Sequence, residues 1–292
     1  MHLPARRWAL AWLMSAGAPL LCACAAPPRP PGVLGEEQGS GHQALARQLA
    51  AITDDPAPVG ARRVIFVGAA LHSREDVFDR DIRATDEALR ALYGEAYRAV
   101  LLSNLRIAQA PRALPLASID HLDDVVDTLD RARRPGDRYI VLLSTHGGPG
   151  LLEVEQPARW RQSRLLTAAK LSSWVDQLGP HPTWLILSAC FSGSHLEALH
   201  QTHVMAMAAA ARDRPSFGCD DRSANTWFVH ELLGAITAGR REDPAVSVAT
   251  VWRRTVEGVM RREQAQRLRP SLPQMWTGPR MQERLDDPLR DF

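Results

Sequence analysis

The chain has 292 residues, 45% of them hydrophobic and 23% charged, with a formal net charge of +2. That length holds one substantial α/β domain with accessories or two small domains, and the composition excludes global disorder and a polytopic membrane protein. The near-neutral balance, without a long basic stripe or aromatic-basic alternation, excludes an argument for nucleic acid.

Arg6 and Arg7 precede an apolar stretch from Trp8 to Leu21, followed by small residues and prolines, which is the order of a secretory signal. Residues 1–23 are therefore read as a signal peptide. The prolines from Pro27 to Pro31 and the glycines up to Gly41 show no apolar period and read as a tether. A short helix from about Gln43 to Ile52 completes segment 24–61, and the domain proper spans 62–285.

From Arg63 the pattern alternates. Arg63 to Gly68 reads as a strand, Asp79 to Ala96 as a helix, and Ala99 to Leu102 as a second strand. Ser118 can cap a helix with Ile119, Leu122, Val125, Val126 and Leu129 on its apolar face. Two short apolar runs follow: one from Tyr139 closes on His146-Gly147-Gly148, the other from Trp184 closes on Cys190. Each reads as a buried strand of a parallel sheet. Between them Thr167 opens a helix. A short helix after Cys190, a strand from His203 to Ala209, and helices from Thr226 to Ala238 and Ser247 to about Leu268 complete the pattern before Pro270 and Pro273. Strands alternating with helices predict an α/β fold with a mainly parallel sheet.

Catalytic groups in open α/β sheets gather beyond the carboxyl ends of the strands, which brings His146 and Cys190 within reach of each other. A catalytic cysteine needs a base or a positive field to become a thiolate, and His146 supplies the base. The backbone N–H groups of Gly147 and Cys190 are candidate oxyanion donors. On spacing alone, a cysteine at a strand end is more often packing than nucleophile. His195, His200 and His203 suggest zinc, but they carry no HExxH pattern or second ligand group, so no metal is assigned. Gly147-Gly148-Pro149-Gly150 lacks the Gly-Lys-Ser/Thr of a phosphate loop. Met205 and Met207 read as core.

Thr145-His146-Gly147-Gly148 and Ser188-Ala189-Cys190-Phe191-Ser192-Gly193-Ser194 resemble the His-Gly and Ala-Cys-x-Ser-Gly-Ser motifs of the legumain family of caspase-fold cysteine peptidases. Glu75-Asp76-Val77 and the stretch from Ala211 to Cys219 extend the likeness over about Arg62 to Gly278, closest to bacterial exported members. The resemblance implies a caspase-like three-layer α/β/α sandwich and a peptidase acting on peptide or protein substrates through a Cys190–His146 dyad, without metal or organic cofactor. The family's Asn-Tyr-Arg-His run is replaced by Ala70-Leu71-His72-Ser73, so asparaginyl specificity does not carry over. His72, Arg212, Asp213, Arg214 and Ser216 are the candidate substrate-binding residues. A transpeptidase passing the same acyl-enzyme to an amine, and a non-catalytic binding lipoprotein, are the alternatives.

Leu21-Cys22-Ala23-Cys24 resembles a bacterial lipobox, which implies lipidation of Cys24 and, with Ala25 following, an outer-membrane lipoprotein facing the periplasm of a Gram-negative bacterium. The competing pattern is cleavage after Ala23-Cys24-Ala25, giving a soluble exported chain. Lipidation leaves Cys190 and Cys219 as thiols. Exported proteins often pair their cysteines, but a catalytic Cys190 requires that these two be unbridged.

Overall fold

The computed structural model describes residues 32–105, 114–156 and 164–292. Six strands form the central sheet: β1 (Arg63–Ala70), β2 (Tyr97–Ser103), β3 (Asp137–Ser144), β7 (Thr183–Ser188), β8 (Val204–Ala208) and β9 (Gln274–Thr277). Their order is β2-β1-β3-β7-β8-β9. The first five are parallel and β9 closes the edge antiparallel to β8. Every residue of β1, β7 and β8 is buried, as expected of strands covered on both faces.

Two hydrophobic cores lie on opposite faces because successive strand side chains alternate. Ile65 and Val67 join one core with α1 (Gly32–Thr53), α3 (Ile119–Ala132) and α4 (Ala168–Gln177). Val64 and Phe66 join the other with α2 (Val77–Tyr93), α5 (Trp227–Glu242) and α6 (Val248–Ala265). The three-layer α/β/α arrangement is the one expected from the sequence. Ser118 and Thr167 accept the His121 and Lys170 amides as N-caps of α3 and α4, so both helices start where the capping rule puts them. Met205 and Met207 are fully buried.

Four features differ from the sequence expectation, the first being β9, which lies beyond Pro270 and Pro273 where the sequence reading places no strand. The short helix at Gln43 is the end of the longer α1, which begins at Gly32, within the stretch read as tether. Leu45 and Ile52 bury its apolar face, and the Gln48 side chain exchanges hydrogen bonds with the Leu101 backbone of edge strand β2 (2.7 and 3.2 Å). A small antiparallel sheet follows His146: β4 (Gly147–Gly148), β5 (Leu151–Val154) and β6 (Arg164–Thr167). After the short helix α7 (Pro279–Gln282), packing continues past residue 285, where Leu289 and Phe292 are buried and the Phe292 ring lies 6.0 Å from that of Trp184.

Candidate active site

The parallel strands deliver their carboxyl ends to one edge. His72 follows β1, His146 follows β3, Cys190 follows β7, and the Arg212–Ser216 stretch follows β8. Ser144 is paired with Ser188 in the β3–β7 register, so His146 and Cys190 each stand two residues beyond paired positions on neighbouring strands. Thr145 N–H continues the pairing onto Ser188 O at 3.1 Å. A Cβ on Gly147 would sit 2.5 Å from Cys190 O, which explains the glycine after the histidine: the chain leaving β3 passes directly against the Cys190 backbone.

The residues after Cys190 build its turn. Phe191 adopts a left-handed φ of 57°, uncommon for a bulky side chain, and is held there by its N–H on Arg214 O (2.8 Å) and by Ser194, whose N–H and hydroxyl both donate to Phe191 O (3.0 and 2.6 Å). Ser192 Oγ accepts the Ala210 amide (3.2 Å), Gly193 N–H donates to Ala210 O (2.8 Å), and Ser194 Oγ accepts the Gly150 amide (2.7 Å). The Ser-Gly-Ser run thus ties the cysteine turn to β8 and to the loop after His146. The Cys190 amide makes no hydrogen bond among the described residues. Glu153 N–H donates to His146 O (3.0 Å), which makes Gly147 and Leu152 a non-hydrogen-bonded pair and turns the Gly147 N–H away from β5.

A buried polar network lies beneath. Asp81 of α2 accepts from Ser144 Oγ (2.7 Å), Thr226 Oγ1 (2.7 Å) and Thr226 N–H (3.0 Å), and Thr226 Oγ1 bonds Ser188 Oγ (2.8 Å). One carboxyl therefore ties the ends of β3 and β7 to the start of α5. Burial pushes Asp81 up to about 7, against hydrogen bonds from Ser144 and Thr226.

His146 is half-buried, and its Nε2 lies 3.5 Å from Glu75 Oε2, which leaves Nδ1 as the ring nitrogen available to a thiol. The His146 ring packs edge-on against His72 (4.6 Å) and Phe78 (5.1 Å). His72 Nδ1 and Nε2 stand 2.5 Å from Glu75 Oε2 and Glu155 Oε2, respectively, and Arg74 holds Glu155 at 2.9 Å. Cys190 Sγ accepts from Ser216 N–H at 3.3 Å.

Of the residues singled out for substrate binding, Ser216 touches the thiol. Arg214 steadies the Phe191 turn through its carbonyl. Arg212 and Asp213 are exposed and paired with Glu197 and with Arg214 and Arg269. His72 joins His146 rather than this group. Cys190 and Cys219 are both free thiols, as the catalytic reading requires, and burial pushes the Cys219 thiol up. His195, His200 and His203 do not meet; burial holds His195 and His203 below the usual histidine range, and His200 is exposed. Residues 1–31, including Cys24, lie outside the described residues.

Sequence reasoning missed Asp81, Glu155 and the role of Glu75. Asp81 had a signal, standing at helical spacing from Val77, Phe78 and Thr85 on the buried face of α2, where an aspartate needs partners. Glu155 had none, because its place depends on the β4–β6 sheet.

The peptidase C13 family matches residues 129–283. No curated protein sequence matches the chain. A crystal structure of caspase-1 from Spodoptera frugiperda is similar at a TM-score of 0.49 and 13% sequence identity, covering 77% of this chain and 92% of that one.

Proposed function

The chain belongs to the peptidase C13 family, and from that premise we propose that it hydrolyses peptide bonds with Cys190 as nucleophile and His146 as general base. The observation that supports this reading is the register of β3 and β7, in which residues 146 and 190 follow the paired Ser144 and Ser188 by two positions each at the carboxyl edge of the sheet.

In this mechanism His146 Nδ1 takes the thiol proton and Cys190 Sγ attacks the carbonyl carbon of the scissile bond. Glu75 holds the opposite ring nitrogen and stabilises the imidazolium that forms. The Ser216 N–H favours the thiolate. The Gly147 and Cys190 amides stabilise the oxyanion. The tetrahedral intermediate collapses as His146 passes its proton to the leaving amine. Water, deprotonated by the same imidazole, then releases the acyl group from sulfur. Ser216, beside the thiol, borders the substrate, and His72 packs against the base.

The chain is further proposed to be an exported lipoprotein tethered through Cys24 in the periplasm. The support is the order of its N-terminal sequence. No helix among the described residues is long and apolar enough to cross a membrane. Cys24→Ser releasing the protein from the membrane fraction is the expected result; unchanged partitioning contradicts the tether.

Cleavage of a diverse peptide library, with Cys190→Ala as control, tests the activity. Turnover by the native chain and none by the variant is expected, and turnover by both would refute the mechanism. Adding an amine acceptor separates hydrolysis from transpeptidation, since only the latter yields the ligated product.

A further inference from the structure

We infer that His72, Glu75 and His146 form a binding site for a divalent transition ion of the zinc class, and that occupation of this site switches the catalytic base off. The binding half of this inference stands on the geometry alone, and the inhibition half rests on His146 being the base.

One donor atom from each residue, a nitrogen of His72, a nitrogen of His146 and a carboxylate oxygen of Glu75, lies within 4.8 Å of the others. A two-imidazole, one-carboxylate set suits zinc better than the hard cations magnesium and calcium, which prefer all-oxygen surroundings. Zinc holds its ligands at about 2.0–2.2 Å in a tetrahedron, so neighbouring donors stand roughly 3.3–3.5 Å apart. The His146 Nε2 to Glu75 Oε2 separation of 3.5 Å already matches. The His72 Nδ1 to Glu75 Oε2 separation of 2.5 Å has to open, and Glu75 lies in the irregular stretch between β1 and α2 with its side chain 27% exposed.

Two observations show that the site is built rather than accidental. His72 is more than nine-tenths buried, with its side chain 7% exposed, and its Nδ1 makes no directed hydrogen bond although it faces Glu75 and His146. Its other nitrogen stands 2.5 Å from Glu155, itself held by Arg74, which reproduces the carboxylate–histidine–metal relay that fixes the ring and tautomer of a metal-bound histidine. The Cys190 sulfur lies outside this donor group, so the ion acts on the base and not on the nucleophile.

The consequence for chemistry follows from counting protons. A neutral imidazole carries one. When His146 Nε2 gives its lone pair to the ion, that proton resides on Nδ1, which then has no lone pair to accept the thiol proton of Cys190. The ion also draws Glu75 away from its role as the carboxylate that stabilises the imidazolium.

The test is zinc titration of the purified chain, followed calorimetrically and by competition with a chromophoric chelator. The expected result is one zinc bound per chain, at least tenfold weaker binding in His72→Ala and in Glu75→Gln, and roughly 10–100-fold weaker binding in Glu155→Gln. Cys190→Ala binds as the native chain does. Peptide turnover falls with the same zinc dependence and returns on adding chelator, and magnesium has no effect. Absence of one-to-one binding overturns the inference, as does binding that survives Glu75→Gln or depends on Cys190. Should His72→Ala fail to fold, Glu75→Gln, which exchanges a carboxylate for an amide of the same shape, decides alone. Zinc binding as described in a chain that cleaves no peptide keeps the site and removes the peptidase reading, so the two failures are distinguishable.

Discussion

The two ends of the central sheet bury charge in opposite ways. At the amino-terminal end Arg63 opens β1, is 1% exposed, and donates to both oxygens of Asp137 (2.7 and 2.8 Å), with Asp55 3.8 Å away and Arg98 in turn 2.7 Å from Asp55. Burial alone would raise Asp55, but hydrogen bonds from Arg98 and Ala57 and the charges of Arg98 and Arg63 hold it below the usual carboxylate range. At the carboxyl end Asp81 is equally buried, accepts only neutral donors, and is pushed up to about 7. Compensated charge at one end fixes the strands in place. At the other, Asp81 is met by hydroxyl and amide donors without a countercharge, under the residues assigned to chemistry, as expected where strand ends carry function.

If that division is right, substitutions at the two ends should separate activity from stability. The largest effect is expected for Cys190→Ala and His146→Ala, each lowering kcat/KM on the order of 10⁴-fold while the thermal midpoint changes little, and with the double variant scarcely worse than either single one. Kinetics and thermal unfolding on the same preparations check this. Arg63→Ala should do the reverse, leaving Asp137 and Asp55 buried without their partner and costing about 3–5 kcal/mol in denaturant unfolding, with activity per folded molecule retained.

Asp81→Asn comes next and sharpens the contrast. The folded-state pKa of Asp81 lies above its unfolded value of 3.8, so its contribution to stability is complete below pH 4 and is lost as pH rises toward and through about 7. Asparagine cannot titrate, so the variant should lose that slope in unfolding midpoints measured between pH 4 and 8. Because Asp81 ties the ends of β3 and β7, kcat should also fall roughly tenfold to a hundredfold with KM little changed. The smallest effect is expected for Arg212→Ala, whose partner Glu197 is also exposed: unfolding should shift by less than about 1 kcal/mol.

The same contrast explains what was legible in the sequence. β1, β3, β7 and β8 announce themselves as short apolar runs because both faces of the sheet are covered, and the starts of α3 and α4 follow from hydrogen bonds that Ser118 and Thr167 make within one turn. His146 and Cys190 could be singled out as candidates because each ends such a run. The β4–β6 sheet and β9 carry no local signal, being two to four residues long and defined by pairing with distant segments. The Arg63–Asp137 pair spans β1 and β3, and Glu155 reaches His72 only once β5 has formed. The helix read from about Gln43 begins earlier, at Gly32, because glycines and charged residues precede the apolar positions Leu45, Leu49 and Ile52 that make it legible.

The central claim is that Cys190 is the nucleophile and His146 its base. It is tested most directly by labelling the nucleophile with a peptide that ends in an acyloxymethyl ketone, from which the carboxylate leaves as sulfur forms a stable thioether, then reading the adduct by intact mass and peptide mapping. The account predicts one adduct, on Cys190, that is lost in Cys190→Ala, slowed by orders of magnitude in His146→Ala, and absent from Cys219, whose thiol burial keeps protonated. An adduct on Cys219, or one on Cys190 that forms equally fast without His146, would contradict it.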